Sequence, residues 1–150
     1  MKYFLFLIVG FFTFCSTDAQ PKDPIIWTYA AKKKTATTYD ITITAKLPKP
    51  WHIYSQNTGD GGPVPTSVSF TKNPLVVLVN KVTEIGKVEK TYDENFKTNV
   101  LYYSNEVSFV QSIKLKVPVK TKLNGSIEYM VCNDELCLPP TKKSFSINVQ

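Results

Sequence analysis

Three features of the sequence predict an all-β fold, an antiparallel β-sandwich. Short stretches alternate apolar and polar residues with a period of two, the pattern of a strand buried on one face. Clusters of Gly, Pro and Asn separate those stretches. No helical period lies between them, and roughly seven to nine short strands without helices read as a sandwich. At 150 residues the chain has room for one domain, large enough to bury a core without staples.

In chain order, Ile25 to Ala31 is the first expected strand and Lys32 to Thr37 a polar turn. Tyr39-Asp40-Ile41-Thr42-Ile43-Thr44-Ala45 alternates strictly and predicts a half-buried strand. Pro48 and Pro50 interrupt it, and Trp51-His52-Ile53-Tyr54 begins another. Asn57 to Pro65, with three glycines and two prolines, is a loop. Val68 to Phe70 is a short strand, and Leu75 to Val79 is an apolar run ended by Asn80-Lys81. Glu84 to Lys90 is a further candidate, and Thr91 to Asn99 reads as an exposed loop holding Tyr92 and Phe96. Val107, Phe109, Ile113, Leu115 and Val117 alternate with polar residues along the next strand. Asn124-Gly125 is a strong two-residue hairpin signal between that strand and Ser126 to Val131. Ser144 to Val149 closes the sheet.

The first 19 residues predict a signal peptide. Lys2 supplies the positive end, Tyr3 to Phe14 the apolar run, and Thr17-Asp18-Ala19 a small-x-small cleavage site. The run is short for a membrane span, which needs about 20 residues. Cys15 lies inside this segment, and the Phe-Thr-Phe before it lacks the small residues of a lipoprotein box. The expected organisation is residues 1–19 as signal and 20–150 as one exported domain, with no stable span after cleavage. The net charge of +6 survives cleavage, since Lys2 and Asp18 leave together. Every basic residue is lysine, scattered along the chain. The bidentate arginine forks suited to phosphates and base edges are therefore missing, which argues against nucleic-acid binding.

Removal of the signal leaves two cysteines, Cys132 and Cys137, in Tyr129 to Pro140, Y-M-V-C-N-D-E-L-C-L-P-P. Export places them in a disulfide-permissive compartment. A passive staple is the ordinary use of such a pair, but this one closes a loop of only about six residues. Loop entropy then gives roughly 2 kcal/mol, against more than about 4 for a loop of about 100 residues. Asp134 and Glu135 between the sulfurs place negative charge near any thiolate, which raises thiol pKa values and slows indiscriminate attack. Pro139-Pro140 stiffens the exit. A reluctant thiol that reacts only when docked suits a relay between specific partners.

Cys-Asn-Asp-Glu-Leu-Cys-Leu-Pro-Pro resembles the active-site segment of the N-terminal periplasmic domain of DsbD, the thiol:disulfide interchange protein. Trp51-His52-Ile53-Tyr54 is similar to that family's aromatic strand, and Tyr92-Asp93-Glu94-Asn95-Phe96 to its cap loop. The resemblance implies an immunoglobulin-like fold with redox cysteines in a hairpin, and no cofactor. It implies that Cys137 forms the mixed disulfide with partners and that Cys132 resolves it. Phe96 would shield the disulfide, Asp93 and Glu94 match acidic cap residues, and His52 and Tyr54 match aromatic positions beside the sulfurs. The implied partners are thioredoxin-fold proteins of the periplasm, including those of cytochrome c maturation. Electrons would come in trans from a separate membrane transporter. Three departures stand out: a cysteine spacing one residue shorter than in the enterobacterial form, a cap phenylalanine displaced by one, and His52 in place of a phenol.

Two other function classes fit some of the same residues. Cys132, Cys137, Met130 and His52 make a possible Cu(I) set, although their spacing matches no common metal motif. A binding-only sandwich with a structural disulfide is the other. Nucleophilic hydrolysis lacks a partner for the lone His52, and the glycines at 59, 61 and 62 match no phosphate-binding loop.

Overall fold

The computed structural model describes residues 23–150, so the expected signal peptide and Cys15 lie outside the described residues. The described chain folds as an immunoglobulin-like antiparallel sandwich of nine strands. These are β1 (Ile26–Lys33), β2 (Thr38–Lys46), β3 (His52–Tyr54), β4 (Ser67–Phe70), β5 (Val76–Asp93), β6 (Thr98–Leu115), β7 (Thr121–Tyr129), β8 (Val131–Cys132) and β9 (Thr141–Val149). The larger sheet runs β1-β2-β6-β3-β8 with β5 on the other edge of β6, and the smaller runs β4-β7-β9.

The alternating stretches form the core, as their period requires. Tyr39, Ile41, Ile43 and Ala45 of β2 and Val107, Phe109, Ile113 and Leu115 of β6 point inward from one sheet. Leu123, Ile127 and Tyr129 of β7 meet them with Phe145, Ile147 and Val149 of β9. Burying each aliphatic or aromatic side chain stabilises the fold by roughly 1.5–3 kcal/mol.

Strand β6 organises the larger sheet because two strands share one of its edges. Residues Thr38 to Lys46 pair with its C-terminal half, and His52 to Tyr54 pair with Tyr102 to Ser104 near its start. Between them the chain leaves the sheet over Leu47 to Trp51, across a cis Lys49–Pro50 bond. Opposite that gap Asn105 takes a left-handed conformation, φ 69°, and its carbonyl accepts from Leu47 N–H at 2.7 Å.

Five expectations are corrected by the structure. Asn80-Lys81 does not end a strand, and Thr91 to Asn99 is not a loop. Both belong to a ribbon of two 18-residue strands, β5 and β6, whose connection is only the turn at residues 94–97. Asn80, at φ 63°, instead sits in one of the two register shifts of β5, between Val79 and Thr83. Such shifts bend and twist a ribbon. The strand expected to run to Val117 stops at Leu115, and Lys32 and Lys33 belong to β1 rather than to a turn. Asn124 and Gly125, finally, lie in the middle of β7, the central strand of the smaller sheet. The hairpin signal fails there because Gly125 is paired with Phe70 on one side and Phe145 on the other. Those two rings stand edge to face at 5.6 Å and fill the space above it, a known rescue of a strand glycine.

Candidate functional site

The cysteines reach their place because the chain changes sheets. Strand β7 ends at Tyr129, paired with Thr141 of β9. The intervening residues cross to the larger sheet, pair with β3 through Val131 and Cys132, turn and come back. Asn133 shapes that turn: its Oδ1 accepts from the N–H of Glu135 at 2.9 Å and of Leu136 at 2.7 Å. Its own N–H donates to the Leu136 carbonyl at 2.9 Å. Cys132 and Cys137 thus face each other across a narrow turn and are joined by a disulfide.

Period-two geometry then separates site from core. Ile53, Tyr103 and Val131 point into the sandwich. Tyr54, Val100 and Cys132 form a second buried cluster, flanked by Phe96, Tyr102, Met130 and Cys137. Because Tyr54 follows Ile53 and Cys132 follows Val131, this cluster lies on the outer face of the larger sheet. An outer face is normally wet, yet Tyr54 is fully buried and Cys132 is 2% exposed. The tip of the β5–β6 ribbon is what covers them.

Asp93 fastens that cover. Its Oδ1 accepts from the N–H of Asn95 at 2.9 Å and of Phe96 at 3.3 Å, which sets the turn. Its Oδ2 accepts from the Tyr54 hydroxyl at 3.3 Å, tying the tip to β3. Phe96 stands edge-on to the Tyr54 ring, centroids 6.2 Å apart. His52 shares the face of Tyr54, as a two-residue spacing on a strand requires, with its Nε2 3.4 Å from the Tyr54 oxygen. In register it sits directly opposite Cys132. Burial pushes the His52 imidazole below its ordinary pKa, against the pull of Asp93, Asp134 and Glu89. Burial likewise raises the Tyr54 phenol, and Asp93 adds to that.

The structure therefore brings Cys132, Cys137, His52, Tyr54, Asp93 and Phe96 together. Glu94 stays exposed at the rim of an open groove of about 490 Å³. His52, Tyr102, Asp93 and Asp134 also line it. Two participants were not anticipated. Tyr102 packs against His52 with ring centroids 4.8 Å apart. Its pair with Tyr103 gives no hint in sequence of which ring faces the site. Asn133 carried a recognisable cue, since Asn before a turn commonly folds its side chain onto the backbone two residues on. Among the described residues no three His, Cys, Asp or Glu side chains are grouped to hold a metal ion.

The two sulfurs differ in access. Cys132 is buried, whereas Cys137 is only partly so. Cys137 is thus the more accessible of the two. The disulfide therefore has an outer and an inner cysteine.

No curated protein matches the sequence. Among solved structures, the N-terminal domain of Neisseria meningitidis DsbD in the reduced form aligns with a TM-score of 0.53 at 13% identity, over 88% of this chain and 90% of that one. The N-terminal periplasmic domain of ScsB from Proteus mirabilis aligns with a TM-score of 0.60 at 19% identity, over 87% of this chain and 48% of that one. A complex of the DsbD and PilB N-terminal domains from Neisseria meningitidis also matches, with a TM-score of 0.53 at 14% identity, over 87% of this chain and 88% of that one. At such identities these likenesses establish the fold. The family model for the N-terminal domain of the thiol:disulfide interchange protein DsbD matches residues 17–148. This chain belongs to the family of the DsbD N-terminal domain.

Proposed function

We propose that this domain relays reducing equivalents to and from thioredoxin-fold partners in the periplasm through Cys137 and Cys132. The observation that carries the proposal is the unequal burial of the two sulfurs on a capped outer face, apart from the hydrophobic core. A disulfide serving stability alone gains nothing from a cover it does not share with the core. In the proposed cycle Cys137 exchanges with the partner and Cys132 closes or opens the internal bond. Phe96 and Asp93 keep small thiols out until a docked partner displaces the turn, with Glu94 at the rim. The complex of a DsbD N-terminal domain with a PilB domain supports a protein partner. Export through the N-terminal segment and electron supply from a separate membrane transporter belong to the same proposal.

The test is the reduction potential of the Cys132–Cys137 pair, from equilibration with glutathione and dithiothreitol. The expected value lies between those of thioredoxin and protein disulfide isomerase, roughly −270 to −180 mV. A value well below about −300 mV marks a structural disulfide, and the binding-only reading then replaces the relay.

The cap makes its own prediction. Phe96→Ala removes the ring packed on Tyr54 and the cysteine cluster. Reduction of the oxidised protein by a small thiol should speed up about tenfold, the effect of roughly 1.4 kcal/mol of lost shielding. An unchanged rate takes Phe96 out of the site.

A further inference from the structure

We infer that His52 is the proton acceptor for the Cys132 thiol, through Nδ1, in the step that closes the internal disulfide. The inference rests on the exchange reading above, and its argument is hydrogen-bond bookkeeping on the outer face. The Tyr54 hydroxyl has one proton, and it donates that proton to Asp93 Oδ2, since a carboxylate can only accept. The Tyr54 oxygen is therefore an acceptor toward His52, and Nε2 must carry the hydrogen of that contact. A neutral imidazole protonated at Nε2 has its lone pair at Nδ1. That nitrogen adjoins the Cβ end of the ring, the end nearest the backbone of β3, which β6 flanks on one side and β8 on the other.

On β8 the neighbour is Cys132. The two residues are direct cross-strand partners, so their Cβ atoms lie about 4.5–5.5 Å apart on one face. Cys132 is 2% exposed, so bulk water is poorly placed to take its proton. The other groups around the imidazole suit the charge it would gain. Glu89 and Asp93 face it from β5 and Asp134 from the cysteine turn. Tyr102 covers it from β6, and Glu94 lies on the rim of the same groove. Desolvation keeps the resting ring neutral and able to accept, and the three carboxylates stabilise it once protonated.

The step balances. Cys137 first attacks a partner disulfide, forming a Cys137–partner mixed disulfide and releasing one partner thiolate. The Cys132 S–H proton then passes to His52 Nδ1. The Cys132 thiolate attacks the Cys137 sulfur, the Cys132–Cys137 bond forms, and the Cys137–partner bond breaks. The electron pair leaves on the partner sulfur, which takes its proton from the imidazolium or from water. The domain loses two electrons and the partner disulfide gains them. In reverse, the imidazolium protonates Cys132 as it leaves.

The experiment is stopped-flow oxidation of the reduced mature domain by the aromatic disulfide dithiobis(nitrobenzoate). Attack by Cys137 releases one coloured thiolate, and closure by Cys132 releases a second. In His52→Phe the second phase should slow about 100-fold near neutral pH, the usual worth of a positioned base. The gap should narrow as pH climbs beyond the ordinary thiol pKa of about 8.5, where the Cys132 thiol ionises without a positioned base. His52→Gln offers an N–H toward Tyr54 but no base, and should be as slow as His52→Phe. In both, the second phase is read relative to the first. Second phases equal to the native protein near neutral pH overturn the inference, as does slowing that persists unchanged at high pH, the mark of disturbed packing. A native domain that releases no second thiolate overturns the exchange reading itself. The two failures are thus separable.

Discussion

Cys132→Ser will convert the domain into a covalent trap, and Cys137→Ser will leave it inert. With Cys132 replaced, Cys137 remains partly exposed beside a narrow turn and can attack a partner disulfide. No second thiol is then within reach to release the adduct. With Cys137 replaced, the remaining sulfur is 2% exposed beneath the capped face and no docked partner can approach it. Incubated with an oxidised thioredoxin-fold protein, Cys132→Ser should give a near-stoichiometric one-to-one adduct. The yield from Cys137→Ser should be on the order of one hundredth of that, equivalent to roughly 2.7 kcal/mol of lost access. Non-reducing electrophoresis and intact mass read both. Both variants should stay folded, because closing a loop of about six residues contributes only roughly 2 kcal/mol and the sandwich core lies elsewhere. Adduct from Cys137→Ser as abundant as from Cys132→Ser would falsify the assignment of outer and inner sulfur.

The second large effect is structural. Gly125→Ala should lower stability by about 3 kcal/mol, the upper end of what overpacking costs. A β-carbon at this position would overlap the Phe145 ring and the backbone carbonyl of Ser69. The ring has little freedom to yield, since it packs face to face with Tyr29 at 5.6 Å and edge-on with Phe70. The carbonyl belongs to β4, hydrogen-bonded to the same strand. A urea midpoint unchanged by Gly125→Ala would mean that residues 124–125 are not held inside a sheet.

That glycine shows where local sequence runs out. Asn-Gly is the strongest short hairpin signal available, and in this chain it is overridden by two phenylalanines, Phe70 and Phe145, which arrive from 55 residues upstream and 20 downstream. Strand β5 shows a second boundary. Nearly all of its side chains are exposed or half-exposed, so it carries little period-two pattern. Its continuity comes from pairing with β6 along almost its whole length. Without that partner, Asn80-Lys81 and Thr91 to Asn99 read as breaks. Conversely, β2, the half of β6 from Val107 onward and Ser144 to Val149 of β9 were legible because each buries one face and wets the other.

The candidate site divides the same way. The cysteine pair can be picked from the chain by its chemistry, whereas Asp93, Glu94, Phe96, His52 and Tyr54 stand out through the resemblance of their motifs to the family's cap loop and aromatic strand. Alternation also puts His52 and Tyr54 on a common face. Which face it is depends on Ile53 pointing inward against the second sheet, a contact between distant segments that no local pattern encodes. The same holds for Tyr102 over Tyr103, for the register that sets His52 opposite Cys132, and for the reach of Asp93 to the Tyr54 hydroxyl. Residue chemistry and strand period are local properties and can be read one strand at a time. Facing, register and cover arise only when β3, β6, β8 and the ribbon tip pack together, since each is fixed by a partner far away in the chain.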